Sequence, residues 1–388
     1  MATAYVPDLI QTGTGSKEVL HDRLIYLAPT PWASFRQRPH ELVRCFHEQT
    51  GGEVLWVDPY PTRLPNLGDL LHRPRNTLAA APLPAWLRVI RPTALPIEPL
   101  PGSAYVNSWL WRDVVKGVLD FSEEPTLLIV GKPSQLALQL MREPTLWDSR
   151  YDAMDDVAMF YSGISRWAMA RREKETVLAA RHTFCSASSL QQKLKKWAKD
   201  PTWVANACAA ERLPEASISR RAPGAGPLIF GYVGVIAKWF DWALVIALAA
   251  ARPEALVRLI GPVFGSLPPG LPRNIEILPE CEHALAMEAM RKFDLGLIPF
   301  QITPLTAAVD PIKYYEYRAL GIPILSSRFG EMAHRGRLEG VFIADDVSRL
   351  EDLIGQAIAY GASAESISRF RAENAWSVRF AQANLFVR

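Results

Sequence analysis

The sequence predicts two doubly wound α/β domains, each a parallel sheet covered by helices, and three observations carry that expectation. Short apolar runs bounded by Gly, Pro and Asp alternate with segments of helical periodicity along most of the chain. The alternation breaks at a basic, Pro/Gly-rich stretch, residues 220–227, and then restarts. The length, 388 residues, is more than one ordinary domain and less than three.

In the first half, strands are predicted at 24–28, 54–57, 127–130, 151–154, 183–186 and 203–205, because each is a short β-prone run. A helix begins near Pro39, where Leu42, Val43 and Phe46 recur at helical spacing, and another runs from about 166 to 180. Residues 59–101 are proline-rich and read as loop with one short strand. After the break, strands are predicted at 228–233, 257–260, 275–278, 295–299, 323–326 and 341–344, with helices at 241–251, 284–292 and 311–320. The expected organisation is a loose extension (1–21), a first domain (22–220), a second domain (221–370) and a C-terminal helix (371–388) crossing back to the first. The run from Gly13 to Ser16 precedes no Lys-Ser/Thr and follows no strand, so it reads as tail and not as a phosphate loop. Ligands of such sheets bind beyond the carboxyl ends of the strands, which makes the cleft between the domains the expected site.

Composition excludes several classes. With 49% hydrophobic and 21% charged residues, the chain buries a large core and is not a disordered one. A net charge of +3 gives no footprint for duplex binding, so nucleic acid is not an expected partner. Cys45, Cys185, Cys208 and Cys281 are far apart and form no CxxC pair, which suits a reducing compartment. No signal-peptide pattern opens the chain, and no apolar run reaches the ~18 residues a membrane span needs. A cytoplasmic location is expected.

The most informative segment is DPIKYYEYRALGIPI, residues 310–324. Asp310 can cap a helix, Pro311 suits its first position, and Gly321 suits its end. Lys313 and Glu316 then share one face in the first two turns. A helix start with a lysine beside it favours an anion such as a diphosphate, and a carboxylate one turn deeper can accept hydrogen bonds from a ribose diol. The same spacing also suits an ordinary surface ion pair.

This segment resembles the donor-binding helix of GT-B glycosyltransferases, in the branch that assembles bacterial surface polysaccharides. Other segments agree in order and spacing: FRQRPHEL (35–42), YDAMDD (151–156), FGYVGVI (230–236) with Trp239, Phe240 and Asp241, LIGPV (259–263) and FDLGLIPF (293–300). The resemblance spans the chain from about residue 22 onward. It implies a GT-B architecture and a nucleotide-sugar donor, with UDP favoured. The acceptor would be a saccharide or a lipid-linked saccharide, and neither a cofactor nor a metal would be needed.

By the same resemblance, Glu316 takes the donor ribose, Lys313 contacts the diphosphate, and the turn from Gly231 to Gly234 approaches the phosphates. Glu280 and Cys281 fall where related enzymes seat the nucleobase, although Glu280 could equally cap the following helix. Many retaining members carry a second glutamate eight positions before the ribose-binding one, a position occupied here by Ala308. Asp310 also departs from a common Asn, and its charge suits a diphosphate site only if it faces away.

Asp155 resembles the catalytic aspartate of the inverting glucuronosyltransferase of xanthan assembly. A carboxylate at the end of a first-domain strand faces the cleft and can take a proton from an acceptor hydroxyl. Asp156 would support it or cap the next helix, while a metal site at 152–156 is a further alternative. Arg36, Arg38 and His40 follow the first strand beside Trp32 and Phe35, where they could meet an acceptor phosphate or form a solvated basic loop. Lys193, Lys195, Lys196 and Lys199 could rest on an anionic inner-membrane surface or simply line a solvated helix. Alongside a transferase stand two other readings: a UDP-sugar 2-epimerase of the same fold, and a catalytically silent nucleotide-sugar-binding module.

Overall fold

The computed structural model describes residues 20–64, 82–215 and 226–388. The start of the predicted extension, and the 220–227 break up to residue 225, lie outside the described residues.

The first sheet has seven parallel strands in the order β3-β2-β1-β4-β5-β6-β7. They are β1 (Arg23–Leu27), β2 (Glu53–Val57), β3 (Leu87–Ile90), β4 (Leu127–Val130), β5 (Ser149–Ala153), β6 (His182–Cys185) and β7 (Thr202–Trp203). Every residue of β4, LLIV, is buried, because helices cover both faces of a parallel sheet. Helix α1 (Arg38–Thr50) packs one face through Leu42, Val43 and Phe46 and ends at Gly51, whose φ of +70° closes its amide on the His47 carbonyl at 2.8 Å. On the other face lie α3 (Arg112–Phe121), α4 (Gln135–Leu140), α5 (Gly163–Ala179) and α6 (Ser188–Leu194), with α2 (Ser103–Leu110) leading into α3.

The second sheet has six parallel strands, β10-β9-β8-β11-β12-β13. These are β8 (Ile229–Val233), β9 (Leu256–Ile260), β10 (Ile275–Leu278), β11 (Leu295–Ile298), β12 (Ile324–Ser326) and β13 (Val341–Ile343). Helices α7 (Trp242–Ala251), α8 (His283–Met290), α9 (Ile312–Ala319), α10 (Leu350–Ala359) and α11 (Ala364–Glu373) surround it.

The last helix, α12 (Trp376–Gln382), leaves the second domain and packs on the first. Trp376, Phe380, Leu385 and Phe386 join the core of Leu24, Tyr26 and Phe46. Arg150 fixes the tail by donating to the carbonyls of Asn384 (3.2 Å), Leu385 (2.9 Å) and Val387, while Asp148 holds Arg150 and His21 at 2.7 Å each. These contacts explain why β5 starts at Ser149, two residues before the predicted 151. Its polar first residues are buried against the C-terminal segment, which hydropathy cannot foresee.

Candidate active site

Helix α1 begins with Arg38, and β5 ends near Asp152. Both side chains are buried, and Arg38 grips the Asp152 carboxylate with Nη2 at 2.7 Å and Nε at 3.1 Å. Its Nη1 donates to the Val204 carbonyl (2.7 Å) and the Asn206 amide oxygen (3.2 Å). This corrects the acceptor reading of Arg38: it is 2% exposed, and its donors are engaged inside the domain. His40 is corrected likewise. Its ring lies between Trp32 and Trp56, Nδ1 accepts from the Gln37 amide, and Nε2 meets the Trp32 carbonyl at 3.2 Å. Burial pushes its pKa down to about 4, so it is neutral at pH 7. Of the three residues, Arg36 is the one left exposed.

Two positions beyond β5, Asp155 and Asp156 meet different surroundings. Asp156 receives the Lys193 ammonium at 2.9 Å, and Lys193 also pairs with the buried Glu173 at 2.5 Å. Lys193 thus turns inward and cannot serve the membrane contact that the basic stretch suggested; Lys195, Lys196 and Lys199 are exposed. Asp155 is half-buried, and among the described residues its carboxylate has no hydrogen-bond partner. Desolvation, then the neighbouring Asp156 charge, raise its pKa to about 7, against a smaller opposing pull from Arg38. A carboxylate with that pKa and free lone pairs can accept a proton near neutral pH.

On the second domain, α9 carries Lys313 and Glu316, whose charges meet at 2.7 Å one turn apart. Asp310 does not cap this helix with its side chain. It faces away from the Lys313 side, accepting from the Asn206 amide (2.8 Å), the Tyr315 hydroxyl (2.9 Å) and Arg335 (2.7 Å). Burial pushes its pKa up, and Arg335 opposes that shift. Asn206 also donates through Nδ2 to the Asp310 carbonyl at 2.6 Å. A buried chain, Asp152 to Arg38 to Asn206 to Asp310, therefore joins the strand below Asp155 to the start of α9. A second link holds the domains together nearby, with the Ser188 amide (2.7 Å) and hydroxyl (2.6 Å) on the Glu331 carboxylate.

The Gly231 to Gly234 reading is revised by packing. Gly231 lies inside β8, where a Cβ would run into the Phe293 ring, so its lack of a side chain serves the core. Gly234 adopts φ +152°, and its amide is committed to the Ile260 carbonyl at 2.9 Å. The group that this turn does present is Lys238, which sequence reasoning passed over. It is exposed and lies 5.9 Å from the ring of Phe160, on the other domain. The signal was available: Lys238 is the lone cation between Gly234 and Phe240.

Glu280 is exposed and Cys281 half-buried in the loop leading to α8. At the start of α8, His283 has its pKa lowered by desolvation, and it feels the charges of Glu316, Lys313, Arg212 and Arg36. Among the described residues, no group of three or more His, Cys, Asp or Glu is placed to hold a metal ion, and no helix is long and apolar enough to cross a membrane.

No protein-family model matches the chain, and no curated protein matches it in sequence. Solved structures do match in shape. The Anabaena protein HepE, determined with UDP-glucose, has a TM-score of 0.61 at 14% identity, covering 94% of this chain and 99% of its own. An α,α-trehalose 6-phosphate synthase from Burkholderia multivorans gives 0.60 at 12%, covering 95% and 98%. The lipopolysaccharide outer core galactosyltransferase WaaB gives 0.57 at 11%, covering 93% and 98%. The chain has the GT-B fold. These neighbours cover both domains of the chain.

Proposed function

We propose that this GT-B protein is a glycosyltransferase that moves a sugar from a nucleotide-sugar donor, UDP-linked, to a saccharide or lipid-linked saccharide acceptor in polysaccharide assembly. What supports this reading is the GT-B fold, together with Asp155, whose carboxylate has no hydrogen-bond partner among the described residues, on the first domain and the Lys313 and Glu316 face of α9 on the second.

In this reading, Glu316 leaves Lys313 to accept from the ribose hydroxyls, and Lys313 turns to the diphosphate, with Lys238 as a second cation. Cys281 and the backbone of its loop bound the base. Asp155 takes the proton as the acceptor oxygen attacks the anomeric carbon, and the bond from that carbon to the diphosphate oxygen breaks. Base and leaving group approach from opposite domains, which suits in-line displacement with inversion and requires no metal. Asp156, held by Lys193, is a neighbouring negative charge that raises the affinity of Asp155 for the proton.

Calorimetry with UDP tests the donor half. Loss of a charge-assisted contact costs about 1.5–3 kcal/mol, so Lys313→Ala and Glu316→Ala are each expected to weaken UDP roughly ten- to a hundredfold. The double variant should lose less than the sum, because the two side chains already interact. Wild-type UDP affinity in both single variants would remove the site assignment.

A further inference from the structure

Between the ends of β1, β2 and β4 the first domain holds a small recess of about 20 Å³, room for a single oxygen-sized group, lined among others by Val57, Asp58, Tyr60, Thr62, Lys132 and Ser134. It lies where the strand order reverses, since β1 has β2 on one side and β4 on the other. Such reversal points are where parallel sheets open a crevice for ligands. The mechanism above does not use it.

We propose that this recess seats an acidic group of the acceptor, a phosphoryl or carboxylate oxygen, on the ammonium of Lys132. The acceptor assignment rests on the glycosyltransferase reading, whereas the anion site rests on the recess itself. Lys132 makes one hydrogen bond, to the Tyr60 carbonyl at 3.2 Å, and no ion pair among the described residues. The acid that shares the recess cannot neutralise it: Asp58 already accepts from the Trp32 amide (2.8 Å), the Trp56 indole (2.9 Å) and Arg91 (3.2 Å). Burial lowers the Lys132 pKa to about 8, with Arg63 adding to the shift and Glu98 opposing it. Glu98 in turn has Arg172 at 3.5 Å and accepts from the Gln135 amide at 2.8 Å. A cation held in a desolvated wall with donors to spare is completed by an anion, whereas a neutral sugar gains little from it.

The position also bears on transfer. β4 and β5 are neighbours, with Val130 opposite Tyr151. Lys132 follows the end of β4 and Asp155 the end of β5, but the Lys132 ammonium turns to the Tyr60 carbonyl on the β1 and β2 side, two to three strand spacings or roughly 10–14 Å across the sheet from β5. An acceptor anchored at Lys132 must therefore be longer than one sugar ring to bring a hydroxyl to Asp155.

The test is calorimetric titration of the full chain with glucose 6-phosphate, glucuronate and glucose, with and without saturating UDP. One of the two acidic sugars is expected to bind at least about tenfold more tightly than glucose, the scale of one charge-assisted contact. Which one binds identifies a phosphoryl or a carboxylate ligand. Lys132→Met should reduce that preference below about threefold while leaving UDP affinity unchanged. A second readout needs no variant. At pH 8.5 the amine is mostly neutral, so binding the anion must take up a proton and the heat will depend on the buffer; for glucuronate, ionised throughout, that dependence should vanish at pH 6.5, whereas glucose 6-phosphate itself titrates at about pH 6 and is compared at pH 8.5 alone. Equal affinity for glucose and both acidic sugars, no sugar binding, preference retained in Lys132→Met, or heats independent of buffer at pH 8.5 would each overturn the proposal. Anion preference without UDP binding would instead overturn the donor assignment and leave the recess standing.

Discussion

Replacing Asp155 with Asn is expected to lower turnover by about 10² to 10⁴, the usual contribution of a general base. UDP affinity should stay nearly unchanged, because Asp155 belongs to the first domain and the donor face to the second. The carboxamide keeps size and shape but cannot accept the proton. The pH profile carries a second signature. The base must be ionised to act and its pKa is raised to about 7, so turnover should climb as pH rises through 7 and level off above it. In Asp155→Asn that acid limb should flatten. Asp156→Asn removes the like charge that helps to raise Asp155, so the limb should move to lower pH without turnover being abolished. Should Asp156→Asn inactivate the protein while Asp155→Asn does not, the two roles are exchanged and the proposed base is wrong.

Much of the fold was legible because its strands are buried on both faces. β4, buried throughout, coincides with the predicted 127–130, and β10, a half-buried edge strand, with 275–278. The predicted 59–101 loop does contain one short strand, β3. Helices were less visible. α3 buries Val114, Val118 and Phe121, a helical spacing that the nearby proline-rich stretch obscured. α4 has only six residues, started by the Ser134 hydroxyl accepting from the Ala137 amide, which is too short for periodicity to register.

The site divides by sequence distance. Lys313 and Glu316 are three residues apart, so the helix period alone places them together, and the structure does so. Asp155 and Asp156 are adjacent, yet only the position of Lys193 on α6 separates a paired acid from an unpaired one. The sequence marks Arg38 and His40 as part of a basic loop because the partner that internalises Arg38, Asp152, lies 114 residues away. Long-range pairing of charges is what a single sequence does not display, and it converts apparent surface cations into internal ties.

That tie sets up the second large effect, for Arg38→Met. Removing one partner of a buried ion pair typically costs about 3–5 kcal/mol, because the remaining charge is left uncompensated. Here Asp152 would be stranded inside the first domain, and the Val204 carbonyl would lose its donor. A drop in the chemical denaturation midpoint is the expected result. Arg38→Met combined with Asp152→Leu should recover much of it, since an apolar pair of similar volume carries no stranded charge. Arg38 also pulls the Asp155 pKa down, so in a folded Arg38→Met sample the acid limb should move to higher pH, opposite to Asp156→Asn. An acceptor-binding arginine would behave otherwise: stability and pH profile would stay as in the wild type, and only the acceptor KM would rise. Because Asn206 contacts both Arg38 and Asp310, the single variant should weaken UDP as well, although every group that meets UDP is intact. Unchanged UDP affinity with lowered stability would show that Arg38 holds its own domain together without steadying α9.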